Sequence, residues 1–305
     1  VTFEVDGKPR RLLDEVDIIS SVSGGSVTAA AYALHGEESF KVLEPAFLKR
    51  NVEAGVFWRF VNPLHWPKLW SPNYSRSDMA AEYYDKILYQ GATFETLRTN
   101  NSPYLIINGT EISTGARISF EQNVFDILSS DVWSYPLSRA VAASSAVPGL
   151  LAPITLNNYS SEHPLPAPEW VTRDYSRDAG AARSYAFLMR QFLNGTNYPY
   201  LHVCDGGVSD NLGLRSYLDA ISILENNPEL LTSLRSKNIR KVVFISVNAF
   251  VHHVKDWDRK SKTPGAIPVA AAADARTMEH YSADTLMWFG EMIREFRSRQ
   301  DLHGE

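Results

Sequence analysis

The sequence predicts an α/β fold, a three-layer α/β/α sandwich around a mainly parallel central sheet. Three observations carry this expectation. Short apolar runs of strand length alternate along the chain with longer runs of helical character. A small-residue turn, Ser21-Val22-Ser23-Gly24-Gly25, joins one such apolar run to a helical one. An aspartate, Asp205, closes another apolar run and is followed at once by Gly206 and Gly207.

Taken in order, Thr2-Phe3-Glu4-Val5 and Arg11-Leu12-Leu13 read as a hairpin across Asp6-Gly7. The strands of the sheet are expected at residues 16–22, 104–112, 117–121, 200–204 and 241–247. A helix is expected from Ser26 to Leu34, and another from Ser77, with Ser77 as its cap and Glu82–Lys86 as an i,i+4 pair. Further helices are expected over 137–145, stopped before Pro148, over 177–193, over 212–224 and over about 269–299. Asp210 or Asn211 is placed to cap the helix near Leu212. Residues 157–173, rich in Pro and Ser, read as a surface loop.

Composition narrows the function. With 305 residues, 44% of them hydrophobic, the chain can bury one sizeable core, and no linker divides it, so residues 1–305 are read as a single domain. A net charge of −5 with interspersed signs lacks the basic stripe that phosphate neutralisation needs, which argues against nucleic acid as a partner. The lone cysteine, Cys204, excludes an internal disulfide, leaves the compartment undiagnosed and reads as a small buried residue. No apolar run approaches the roughly 20 residues needed to span a bilayer, and no signal peptide opens the chain, so no localisation is assigned. There is no His-Glu-x-x-His and no cysteine cluster, so no metal is expected.

Ser23 is the candidate nucleophile. Strand, tight turn and helix are the context of a nucleophile elbow, in which a strained serine projects its hydroxyl above the sheet edge at a helix N-terminus. Ser21 and Gly25 supply the small neighbours such a turn is expected to need, and Gly24 N–H is the candidate oxyanion donor. The alternative is an ordinary small-residue turn. Asp205 is the candidate acid, at the carboxyl end of a strand, where glycines at 206 and 207 allow close approach of backbone; the alternative is a turn aspartate. A free carboxylate, with a pKa of about 4, is a weak base for serine, so this chemistry needs a partly desolvated acid.

These segments resemble the patatin-like phospholipase family, in particular its bacterial members. Ser23 matches the nucleophile of the family's Gly-x-Ser-x-Gly motif, with Ser21 in place of the first glycine, and Asp205 matches the acid of its Asp-Gly-Gly/Ala motif. Ala143-Ser144-Ser145-Ala146-Val147-Pro148, with Pro153 beyond it, is similar to the family's Ala-Ser-x-Ala-x-Pro segment. Leu105 to Glu111, with Thr114-Gly115, is similar to its central strand and following turn. The resemblance covers most of residues 16–248. It implies a serine acyl hydrolase acting on lipid esters through a Ser–Asp dyad and an acyl-enzyme, with no cofactor. In one respect the sequence departs from the family: no glycine-rich oxyanion loop precedes Ser23, and the chain is read as lacking an N-terminal strand, that loop and a first helix.

Two rivals stand beside this reading. Ser23, Asp205 and His252 or His253 occur in the chain order of an α/β-hydrolase triad. A catalytically impaired lipid-binding scaffold is the other, fed by the absent glycine loop. Finally, residues 56–70 hold Phe57, Trp58, Phe60, Trp66 and Trp70 among prolines and bases. Trp58, Trp66 and Trp70, with Arg59 and Lys68, suit a membrane interface, while a lid packed on the domain is the competing expectation.

Overall fold

The computed structural model describes residues 2–225 apart from 6–7, 72–73, 101, 150 and 177–179, then residues 242–249, 256–259 and 281–294 with a few isolated positions between. A two-stranded antiparallel hairpin, β1 (Thr2–Val5) and β2 (Lys8–Arg11), stands apart from a five-stranded sheet. The sheet contains β3 (Ile18–Val22), β4 (Tyr104–Glu111), β5 (Arg117–Ser119), β6 (Ile154–Asn157) and β7 (Tyr200–Asp205). Its order is β3-β4-β7-β6, with β5 paired to β4.

The fold is α/β, as expected, but the described sheet is mixed. Only β3 and β4 run parallel; β4–β5, β4–β7 and β6–β7 are antiparallel. The cause lies in the connections. The short turn after Glu111 brings β5 straight back along β4, and β6 and β7 pair in opposite directions. The strand expected over 241–247 is not seen among the described residues: residues 242–249 belong to no ladder, and Val242, Val243, Ile245 and Val247 are exposed.

Helices cover both faces. On one, α1 (Gly24–His35) and α4 (Leu137–Ser144) pack against each other and against β4. Their Ala30, Ala31, Ala140 and Val141 join Leu105, Ile107, Val203 and Ile154 in one core. Small residues on both helices let them approach the strands closely. On the alternate parity of β4, Asn108 faces the other way and meets Ser216 of α6 (Arg215–Glu225), which packs on α5 (Gly180–Arg190). A third pair, α2 (Val52–Val61) and α3 (Arg76–Tyr84), stacks outward from α4. At Gly55 of α2 a Cβ would stand 2.8 Å from the Tyr83 ring, so this contact requires glycine.

Local chemistry sets the helix ends, not always where expected. Ser75, not Ser77, caps α3, through a capping box with Asp78. Ser77 is buried instead, donating to the Ala152 carbonyl. Glu82 pairs with Lys68 rather than Lys86. The helix expected near Leu212 starts at Arg215, so neither Asp210 nor Asn211 is at its cap position; Asp210, which ends the short helix Gly207–Asp210, still accepts from Arg215 N–H at 2.8 Å through Oδ2. Residues 281–294 are helical within the expected 269–299.

The non-catalytic polar centre is Arg117. Its guanidinium donates to Asp219 at 2.6 Å, to Ser216, Ser119 and Asn108 at 3.0–3.1 Å, and stacks on the Tyr185 ring. Both members of the ion pair are nearly inaccessible. Removing one partner of such a pair strands a buried charge. Asp219→Ala is therefore expected to cost about 3–5 kcal/mol in urea unfolding, and Arg117→Met with Asp219→Leu to recover most of that loss.

Candidate active site

Two strands deliver Ser23 and Asp205 to the same point from opposite directions. β3 runs parallel to β4 and ends with Val22 opposite Asn108. β7 runs antiparallel and ends with Asp205 opposite Gly109. The residue after β3 and the last residue of β7 thus face each other across adjacent positions of β4. The sequence placed the acid at the carboxyl end of a strand; the antiparallel direction of that strand is what brings it to the serine.

Ser23 Oγ donates to Asp205 Oδ2 at 2.7 Å. Asp205 is 3% exposed, so its carboxylate is largely withdrawn from water. Its second oxygen, Oδ1, accepts from Gly207 N–H at 2.8 Å, and its carbonyl accepts from Thr110 Oγ1 at 2.9 Å. Gly206 has no room for a side chain: a Cβ there would lie 2.2 Å from the Asn108 carbonyl oxygen. Gly206 thus allows a close backbone approach, while Gly207 contributes an N–H to the acid, a contact the sequence did not suggest.

Ser23 has φ +52° and ψ −131°, a region that L residues rarely occupy. The strain is that expected of an elbow. Ser21 is buried, donates to the Ile106 carbonyl and ties the turn to β4. Gly25 departs from expectation: it has an ordinary φ, and an added Cβ would meet nothing within 4 Å. Close packing among the described residues therefore does not require its smallness. Gly24 opens α1, and its amide is the first of a twelve-residue helix on the exposed side of the turn. There the helix dipole favours negative charge.

The backbone of the elbow is held by a segment for which the sequence suggested no role. Ser23 N–H donates to Ser144 Oγ at 2.9 Å, and Ser144 Oγ donates to the Asn108 carbonyl at 2.6 Å. Asn108 also donates to Ser20 Oγ and to the Ser21 carbonyl. The signal was present in the run 143–148, but nothing in a run of small residues says which backbone it meets.

Asp210, five residues beyond the acid, is buried; burial pushes its carboxyl up from the usual range, with Arg117 opposing. His35 binds the Leu88 carbonyl and His202 meets Thr155. His252 and His253 lie outside the described residues. Among the described residues no group of His, Cys, Asp and Glu could hold a metal, and no helix is long and apolar enough to cross a membrane. Cys204 is free and buried.

The aromatic segment is helical and outward-facing. Trp58 on α2 is 68% exposed, Trp66 48% and Trp70 81%, with Phe57 and Leu64 exposed beside them. Packing under a lid does not describe these side chains. Arg59 stacks on Tyr83, and Lys68 pairs with Glu82.

A strained serine at a strand–helix turn thus stands within hydrogen-bonding distance of a buried aspartate at the end of another strand. The model of the patatin-like phospholipase family matches residues 9–218, more than half of the chain, and the chain belongs to that family. No curated protein and no solved structure matches it significantly. Membership supports lipid acyl hydrolysis as its general activity and lipid as its substrate class.

Proposed function

We propose that the protein cleaves carboxylic esters of lipids through a Ser23–Asp205 dyad and an acyl-enzyme. The single observation that carries this reading is the 2.7 Å hydrogen bond from Ser23 Oγ to Asp205 Oδ2. Asp205 takes the proton as Ser23 Oγ attacks the ester carbonyl carbon. The tetrahedral oxyanion forms beside the N-terminus of α1, where Gly24 N–H is the first donor. Collapse expels the alcohol, which receives the proton from Asp205, and leaves the acyl group on Ser23. Water then attacks the acyl-enzyme, giving its proton to Asp205, and Ser23 leaves with that proton restored. Gly207 N–H holds the carboxylate so that Oδ2 faces the serine.

A fluorophosphonate probe, followed by mapping of the labelled peptide, tests the reading. Label is expected on Ser23. Ser23→Ala and Asp205→Asn are each expected to lower ester turnover by several orders of magnitude with the melting transition retained, since members of one catalytic unit act together. Alanine at both His252 and His253 is expected to leave most activity. Loss of turnover in that double variant would establish the triad instead. A protein that binds lipid but neither labels nor turns over would be the impaired scaffold.

We propose further that the face bearing Trp58, Trp66 and Trp70 contacts the lipid surface. Its support is the exposure of six large apolar side chains among the described residues of 57–70, next to basic groups. The bearing helix α2 packs on α3, which packs on α4, whose last residue touches Ser23. Replacing the three tryptophans by alanine is expected to weaken sedimentation with phospholipid vesicles and to slow long-chain hydrolysis. Short soluble esters and the melting temperature should change little, because exposed side chains contribute little to the core. Equal loss on both substrate types with a lowered melting temperature would place the segment in packing alone.

A further inference from the structure

Ser144 is fully buried at the last position of α4 and carries one proton and two lone pairs. Two of these are committed. The proton goes to the Asn108 carbonyl at 2.6 Å, and one lone pair accepts from Ser23 N–H at 2.9 Å. The Ser26 hydroxyl also stands at 2.9 Å, with its proton directed to Ser21 Oγ at 3.2 Å. Rotating the Ser144 hydroxyl away would leave a buried group unpaired, so it fixes the direction of the Ser23 amide. The next residue reaches the other side of the same unit: Ser145 Oγ lies 3.1 Å from the Ser23 carbonyl, which also accepts from Ser26 N–H at 2.9 Å. The backbone of this segment meanwhile holds the acid. Asp205 N–H donates to the Ala146 carbonyl at 3.0 Å and Gly206 N–H to the Ser144 carbonyl at 3.1 Å.

We propose that Ser144 is a positioning residue of the reaction: its hydroxyl holds Ser23 in the strained conformation, while the 144–146 backbone holds Asp205 at hydrogen-bonding distance from it. The proposal rests on Ser23 and Asp205 being the catalytic pair. Without the Ser144 hydroxyl the Ser23 amide loses its acceptor, the turn is held only through the Ser23 carbonyl, and φ relaxes toward negative values so that Oγ moves away from Asp205. Displacement of a reacting atom by about 1 Å costs on the order of 100-fold in rate. Substrate binding does not pass through this hydroxyl, so the loss falls on kcat rather than KM.

The test compares Ser144→Ala with Ser26→Ala in the full chain. Ser26 is equally buried and belongs to the same hydroxyl cluster, but its removal leaves the Ser23 amide its acceptor. The readouts are kcat and KM on a p-nitrophenyl acyl ester, the rate of fluorophosphonate labelling with the labelled residue mapped, and the melting temperature. Ser144→Ala is expected to lower kcat and the labelling rate about 100-fold with KM nearly unchanged and the label still on Ser23. Ser26→Ala is expected to lower the melting temperature by a comparable amount while keeping kcat within a few-fold. Wild-type kcat in Ser144→Ala, or equal kcat losses in the two variants, would overturn the proposal. If Ser144→Ala does not fold, Ser144→Cys replaces the oxygen by a weak acceptor of similar size; it must lower kcat at least tenfold, and wild-type turnover again refutes the assignment. Label on a serine other than Ser23 in the unaltered protein would refute the catalytic pair itself, a separate outcome.

Discussion

The left-handed backbone at Ser23 is the constraint around which the rest of the molecule is arranged. A residue in such a region costs on the order of 1–3 kcal/mol and persists only where its surroundings over-determine it. Here they do. Ser144 holds its amide and Ser26 N–H its carbonyl, while the Ser145 hydroxyl is shared between that carbonyl and the Val141 carbonyl. A hydrogen bond contributes about 1 kcal/mol net, so these bonds are of the size of the strain. What the strain achieves is direction: an ordinary φ would turn Oγ along the strand, whereas this one sends it toward Asp205.

The mixed sheet follows from the same need. A serine and an acid drawn from two parallel neighbours of β4 would have their positions side by side at one edge of the sheet. With β3 and β7 running in opposite senses, their ends meet over Asn108 and Gly109, in the interior of β4. Glycines make that meeting sterically possible. At Gly109 a Cβ would stand 2.3 Å from the Val203 side chain, and at Gly206 2.2 Å from the Asn108 carbonyl. Both glycines are about backbone and side-chain proximity, not about positive φ.

Much of this was legible in the sequence, for identifiable reasons. The elbow, the Asp-Gly-Gly strand end and the helices over 24–35 and 137–144 are local patterns, and local patterns survive folding. Strand direction was not legible, because apolar runs say nothing about which way a chain returns. The cap at Ser75 was missed because Ser77 offers the same chemistry two residues on, and only burial separates them. β6 was missed because Ile154–Asn157 has only four residues. The aromatic run 57–70 shows the converse failure: composition favours burial for Trp and Phe, yet exposure depends on whether another element covers them, and none among the described residues does.

Asn108 explains why a polar residue sits in the middle of a buried strand. Its main-chain oxygen accepts from Ser144 and its side-chain amide donates to Ser20 and Ser21, so one face of the residue is committed to the elbow. Its side-chain oxygen accepts from Arg117 and Ser216, so the other is committed to α6. Such a network adds little net stability compared with apolar packing, since desolvation offsets most of the electrostatic gain. It adds register instead. Sliding β4 by one residue would point Asn108 into the Leu105–Ile107 core, leave the Arg117 guanidinium short of an acceptor, and move the carbonyl that orients Ser144. An apolar residue at 108 would tolerate such a slip at lower cost. The buried polarity of β4 therefore sets the position of the strand, the strand sets Ser144, and Ser144 sets the angle at which Ser23 faces Asp205.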